Sequence, residues 1–76
     1  MQMHLELTDT FGGEANYSYV HRETLEIKPE TSDLSIVRKA KKWAGFTGLP
    51  CRISHYGDMI EIRPRSICQV IFITFE

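Results

Sequence analysis

TSDLSIVRKAKKWAGFTG, residues 31–48, decides the fold of this chain. A hydroxyl of Thr31 or Ser32 can accept a bond from the free amides of a first helical turn, and Asp33 complements the positive helix end. Ile36, Val37, Ala40, Trp43 and Ala44 then recur at helical spacing on one stripe. Arg38, Lys39, Lys41 and Lys42 fall on the other side. Gly45 can take the left-handed conformation that closes a helix, and Phe46 behind it suits the apolar contact of a Schellman stop. The stretch therefore predicts an amphipathic helix from about Ser32 to Ala44, some three turns long, basic on its solvent side.

Downstream, Leu49-Pro50 starts a new direction, and Cys51–Tyr56 and Met59–Arg63 read as short strands. Gly57-Asp58 between them suits a type II′ hairpin, which takes glycine at its first position. Pro64 ends the second of these strands. The last segment, Ile67–Phe75 (ICQVIFITF), is apolar on both parities, with Val70 and Phe72 on one face and Ile71, Ile73 and Phe75 on the other. Such a strand belongs in the middle of a sheet covered on both sides. A single helix covers one. The remaining apolar face must meet a loop, curl over, or find a partner chain, and a homodimer through this strand is one such solution.

Upstream, Met3, Leu5 and Leu7 alternate with His4, Glu6 and Thr8, the pattern of a half-buried strand. Asp9–Asn16 (DTFGGEAN) reads as a turn or short loop, and Tyr17–Ile27 as a long second strand of imperfect alternation. If Leu25 and Ile27 face the core, strict period two also turns Glu23, His21, Tyr19 and Tyr17 inward and Val20 outward. A bulge near Arg22–Thr24 would reverse the first half, burying Val20 and exposing the tyrosines. Both versions are open at this level. The order is β-β-α-β-β-β in one domain spanning residues 1–76. It predicts an α+β class with two layers, a single helix packed on a mostly antiparallel five-stranded sheet.

Composition bounds the function. An apolar fraction of 42% and a charged fraction of 25% are those of a globular domain rather than a disordered chain. No apolar run is long enough for a membrane span, and MQMHLELTD lacks the features of a signal peptide. Two cysteines, Cys51 and Cys68, are too few for a disulfide framework and read as buried thiols of a cytoplasmic protein. Net charge is −1, but residues 1–33 hold seven acids against two bases, and residues 34–76 hold seven bases against three acids.

No catalytic motif stands out: no nucleophile elbow, no phosphate loop, no HExxH. Cys51 and His55 share a strand face but lie about 13 Å apart in an extended segment, too far to share a metal ion. The chain therefore reads as a non-enzymatic module needing no metal or cofactor. Two binding surfaces compete. The first is a protein interface built from surplus apolar surface at Ile71, Ile73 and Phe75 with Tyr17 and Tyr19. The second is a nucleic-acid surface in which Arg38, Lys39, Lys41 and Lys42 contact phosphates and exposed aromatics stack on bases. A pI near 6.3 weighs against the second.

Three segments carry a resemblance: GGEANYSYV (12–20), SDLSIVRKAKKWAGFTGLPCRISHYGDMIEIRP (32–64) and CQVIFITFE (68–76). With its Thr-Gly-x-x-Cys-Arg and Gly-Asp-Met-Ile-Glu runs, the chain resembles small proteins encoded by tailed bacteriophages and prophages of Gram-negative bacteria. The resemblance implies a non-structural accessory role in the host cytoplasm. By analogy with other small phage proteins, anti-CRISPR proteins among them, it implies a host or defence protein complex as the partner. It assigns no role to any residue.

Overall fold

Ser32 caps the helix as its hydroxyl accepts from the Ser35 amide at 3.2 Å, and the helix, α1, runs Asp33–Ala44. It stops at Gly45, whose φ of 79° allows the Phe46 amide to reach the Lys41 carbonyl and the Gly45 amide that of Lys42, the paired bonds of a Schellman motif. Phe46 is buried behind them. An added Cβ at Gly45 meets nothing within 4 Å, so alanine there costs only backbone conformation. Gly45→Ala is expected to cost about 1 kcal/mol, lowering the melting temperature by about 4–8 °C, as thermal unfolding would show.

The structure is a computed structural model describing residues 1–76. Around α1 lie β1 (Gln2–Phe11), β2 (Glu14–Glu26), β3 (Cys51–Tyr56), β4 (Met59–Pro64) and β5 (Gln69–Phe75). They form one sheet in the order β2-β1-β5-β4-β3, with every pair antiparallel. The two-layer α+β architecture expected from the sequence is the one observed. At the β3–β4 turn, positive φ falls on Gly57 and not on Asp58, the type II′ pattern. The β1–β2 connection is tighter than expected. Phe11 pairs with Glu14 across Gly12-Gly13, both at positive φ as a type I′ turn requires, so Asp9–Phe11 and Glu14–Asn16 belong to the strands.

The core follows two cross-strand rows on the helix side. One runs His55, Ile60, Ile73, Leu5, Glu23; the other runs Ile53, Ile62, Ile71, Leu7, His21. Ile36, Ala40 and Phe46 bury against their centres, with Val37, Trp43 and Ala44 packed partly over them. On the outer strand β2 the rows end in polar residues, and Trp43 closes them. Its indole N–H donates to Glu23, and its ring lies 5.0 Å from that of His21. No bulge occurs at Arg22–Thr24. Period two holds from Val20 onward, with His21 and Glu23 on the helix side and Val20 on the other.

Two expectations are corrected. Ile71 and Ile73 are fully buried beneath the helix and Phe75 is half-buried against the same cluster, so they form the core and not a surplus surface. The helix takes this face because the matching parities of β1 and β4 (Met3, Leu5, Leu7; Ile60, Ile62) are also apolar, giving the larger area to bury. β5 is hydrogen-bonded on both sides, to β1 and to β4. Cys68 is exposed before β5 begins, and Cys51 is half-buried on the edge strand, so they are not two buried thiols.

The helix-free face is closed in part by the chain itself. Thr8 and Val70 pair there and are fully buried. The Thr8 hydroxyl donates to the Tyr19 carbonyl at 2.8 Å, and Arg63 Nη1 donates to the Gly13 carbonyl at 2.6 Å. The distal end of the β1–β2 hairpin therefore bends over the sheet toward β4.

Candidate functional site: an aromatic hairpin end above an open groove

Between Thr8–Val20 and Thr10–Ala15 the register jumps, leaving Asn16, Tyr17, Ser18 and Tyr19 of β2 outside the ladder opposite Asp9. Asp9 holds this bulge. Its carboxylate accepts from Asn16 Nδ2 at 3.0 Å, the Ser18 amide at 3.1 Å, the Tyr19 amide at 3.3 Å and the Ser18 hydroxyl. The Ser18 hydroxyl first, then the Asn16 amide, hold the Asp9 carboxyl far below the usual carboxylate range. Tyr17 at the apex has a φ of 57°, the one residue other than glycine in the left-handed region. For a bulky side chain that conformation costs on the order of 1 kcal/mol and persists only where the surroundings impose it.

The bulge sets Tyr17 over the helix-free face. There it joins His4, Glu6, Arg22, Thr24, Met59, Phe72 and Thr74 around an open groove of about 690 Å³. Phe72 and Met59 supply the apolar part. Arg22 Nε bonds Glu6 at 2.9 Å beside the ring, and Arg63 bonds Glu61 across Phe72 from it. Loss of hydration and the facing Glu6 carboxylate both raise the Tyr17 hydroxyl above its ordinary value. His4 is engaged through both ring nitrogens, by Thr24 Oγ1 at 2.9 Å and Glu76 at 2.8 Å. An apolar centre with a bonded polar rim is the anatomy of a recognition surface.

Four aromatic residues are strongly exposed: Phe11 (80%), Tyr17 (50%), Tyr19 (54%) and Tyr56 (55%). The first three all lie on the distal end of one hairpin. The residues expected to bind a partner thus separate. Tyr17 and Tyr19 stand together on the bulge. Arg38, Lys39, Lys41 and Lys42 lie on α1, in the other layer, and Ile71, Ile73 and Phe75 belong to neither surface. Sequence reasoning missed Phe11, Glu6, Arg22, Met59 and Phe72. A signal for the last existed, since β5 parity already set Phe72 apart from Ile71 and Ile73; what it lacked was the strand order. No group of three or more His, Cys, Asp or Glu side chains is placed to hold a metal ion, and no helix is long and apolar enough to cross a membrane. No protein-family model, curated protein or solved structure matches the chain.

Proposed function

We propose that the chain is a non-enzymatic binding module of the phage accessory kind, acting in the host cytoplasm. It works by occupying a surface of a host or defence protein complex with the hairpin end and the groove beneath it. The reading is supported chiefly by one observation: three exposed aromatic rings on a single hairpin end, one of them in a strained backbone that four hydrogen bonds to Asp9 maintain. Strain held in place at an exposed aromatic residue is a mark of a functional surface rather than of packing. Tyrosine and phenylalanine on a rigid support give large contact area at small entropic cost.

Tyr17→Gly tests this cleanly, because glycine relieves the backbone while removing the ring. The variant is expected to melt no lower than the wild type by more than about 0.5 kcal/mol. It is also expected to lose capture of a host protein from nuclease-treated lysate of a Gram-negative bacterium, where the wild type retains it. Equal retention by both proteins, or retention of no protein by the wild type once the lysate is nuclease-treated, would refute the reading.

A further inference from the structure

The solvent side of α1 carries a second surface that the hairpin does not explain. Six of the ten carboxylates are engaged within the fold: Glu6, Asp9, Glu23, Glu26, Glu61 and Glu76. None of them, nor any other, forms an ion pair with Arg38, Lys39, Lys41 or Lys42. These four cations are not equivalent. Lys39 shares a hollow with Glu26 and Glu30. Arg38, Lys41 and Lys42 instead line a concavity of about 400 Å³ with Thr47 and Gly48, and no carboxylate takes part. Lys41 Nζ is fixed there by donating to the Leu49 carbonyl at 2.9 Å, with N–H bonds to spare. Lys41 and Lys42, in the last turn, also offset the negative end of the helix dipole. Arg38 lies a turn earlier, where that effect has faded.

We propose that this concavity binds the phosphodiester backbone of nucleic acid. A protein interface draws its affinity from apolar or aromatic anchors in desolvated pockets, and this hollow contains no apolar side chain. A phosphate needs only what is present: three free cations on a curved surface and a threonine hydroxyl beside them. The net charge of −1 does not oppose it locally, because no carboxylate lines the hollow. The contact is positional and carries no base specificity. With the hairpin end projecting from the other layer, the molecule can grip protein on one side and nucleic acid on the opposite one.

The experiment is fluorescence anisotropy of a labelled single-stranded oligodeoxynucleotide, and of its duplex, titrated with the intact protein. Binding is expected at about 10⁻⁴ M in about 50 mM salt, and log K is expected to fall against log salt with a slope of about −2 to −3. Arg38→Gln/Lys42→Gln is expected to weaken binding at least tenfold and reduce the slope by about two, while lowering the melting temperature by only a few degrees through the lost helix-end cation. Arg65→Gln, an exposed cation elsewhere, is expected to change neither. Absence of binding at low salt would overturn the proposal, as would binding untouched by the double variant. Competition by polyglutamate as effective as by the oligonucleotide, charge for charge, would assign the hollow to an acidic protein and overturn it equally. Because the probe contains no protein partner, failure here leaves the hairpin reading standing, and the reverse holds.

Discussion

Ile73→Ala is expected to lower the unfolding free energy by about 3–4 kcal/mol and the melting temperature by about 15–25 °C. Ile73 is fully buried at the crossing of β1, β5 and β4, opposite Leu5 on one side and Ile60 on the other, with the helix layer above. Truncation to alanine removes three carbons from a site where the surrounding side chains belong to three different strands and cannot close in together. A domain of this size has about 4–11 kcal/mol of stability in all, so the substitution consumes much of it. Tyr56→Ala, at an exposed position on the edge strand, is expected to stay within about 0.5 kcal/mol. Urea titrations of the two variants would check the contrast. A near-native midpoint for Ile73→Ala would mean that β5 shows this face to solvent, and the packing described above would be wrong.

Asp9→Asn is expected to dissolve the bulge while leaving the rest of the sheet in place. The carboxylate receives donors on both oxygens, and an asparagine amide presents one acceptor and one donor, so it cannot serve all four bonds. Amide exchange at Tyr17, Ser18 and Tyr19 is expected to become fast, and the Tyr17 ring to leave Glu6, both visible by NMR. The sign of the pH dependence follows from the depressed carboxyl. Its stabilising contribution is complete above the ordinary carboxylate value of about 4 and is lost as pH falls from there through the folded-state value. Wild-type stability is therefore expected to fall more steeply below about pH 4 than that of Asp9→Asn, the two curves running parallel at neutral pH. Curves parallel throughout the acid range would show that Asp9 does not anchor the bulge.

The helix and its two caps were legible because they rest on local chemistry: a hydroxyl three residues from the amide it accepts, and a glycine one residue past the last helical turn. The strand count and element order were legible for the same reason. What could not be read was which face of β5 the helix takes, since both parities are apolar and the decision belongs to β1 and β4 through a sheet order no local pattern encodes. The position of the bulge was illegible for a related reason. Imperfect alternation in Tyr17–Ile27 announces an irregularity, but its position is set by Asp9, seven to ten residues away across the hairpin. The tyrosines were singled out from composition alone, and the groove beneath them required Phe72 and Met59 from two other strands.

The strand order has a kinetic consequence. β1–β2 and β3–β4 are each hairpins that can form from nearby residues, yet neither touches the other along a ladder; only β5 joins them. Its pairing of Met3 with Phe75 closes almost the whole described chain, and Ile60 with Ile73 a much shorter loop. Loop entropy therefore favours β5 docking first on β4, with the long closure onto β1 last. A chain with β1–β2 undocked from β5 exposes the apolar row Met3, Leu5 and Leu7, and is expected to be the form most open to proteolysis and self-association. The final strand acts as a latch, and how long this protein survives in a cell depends on how rarely it opens.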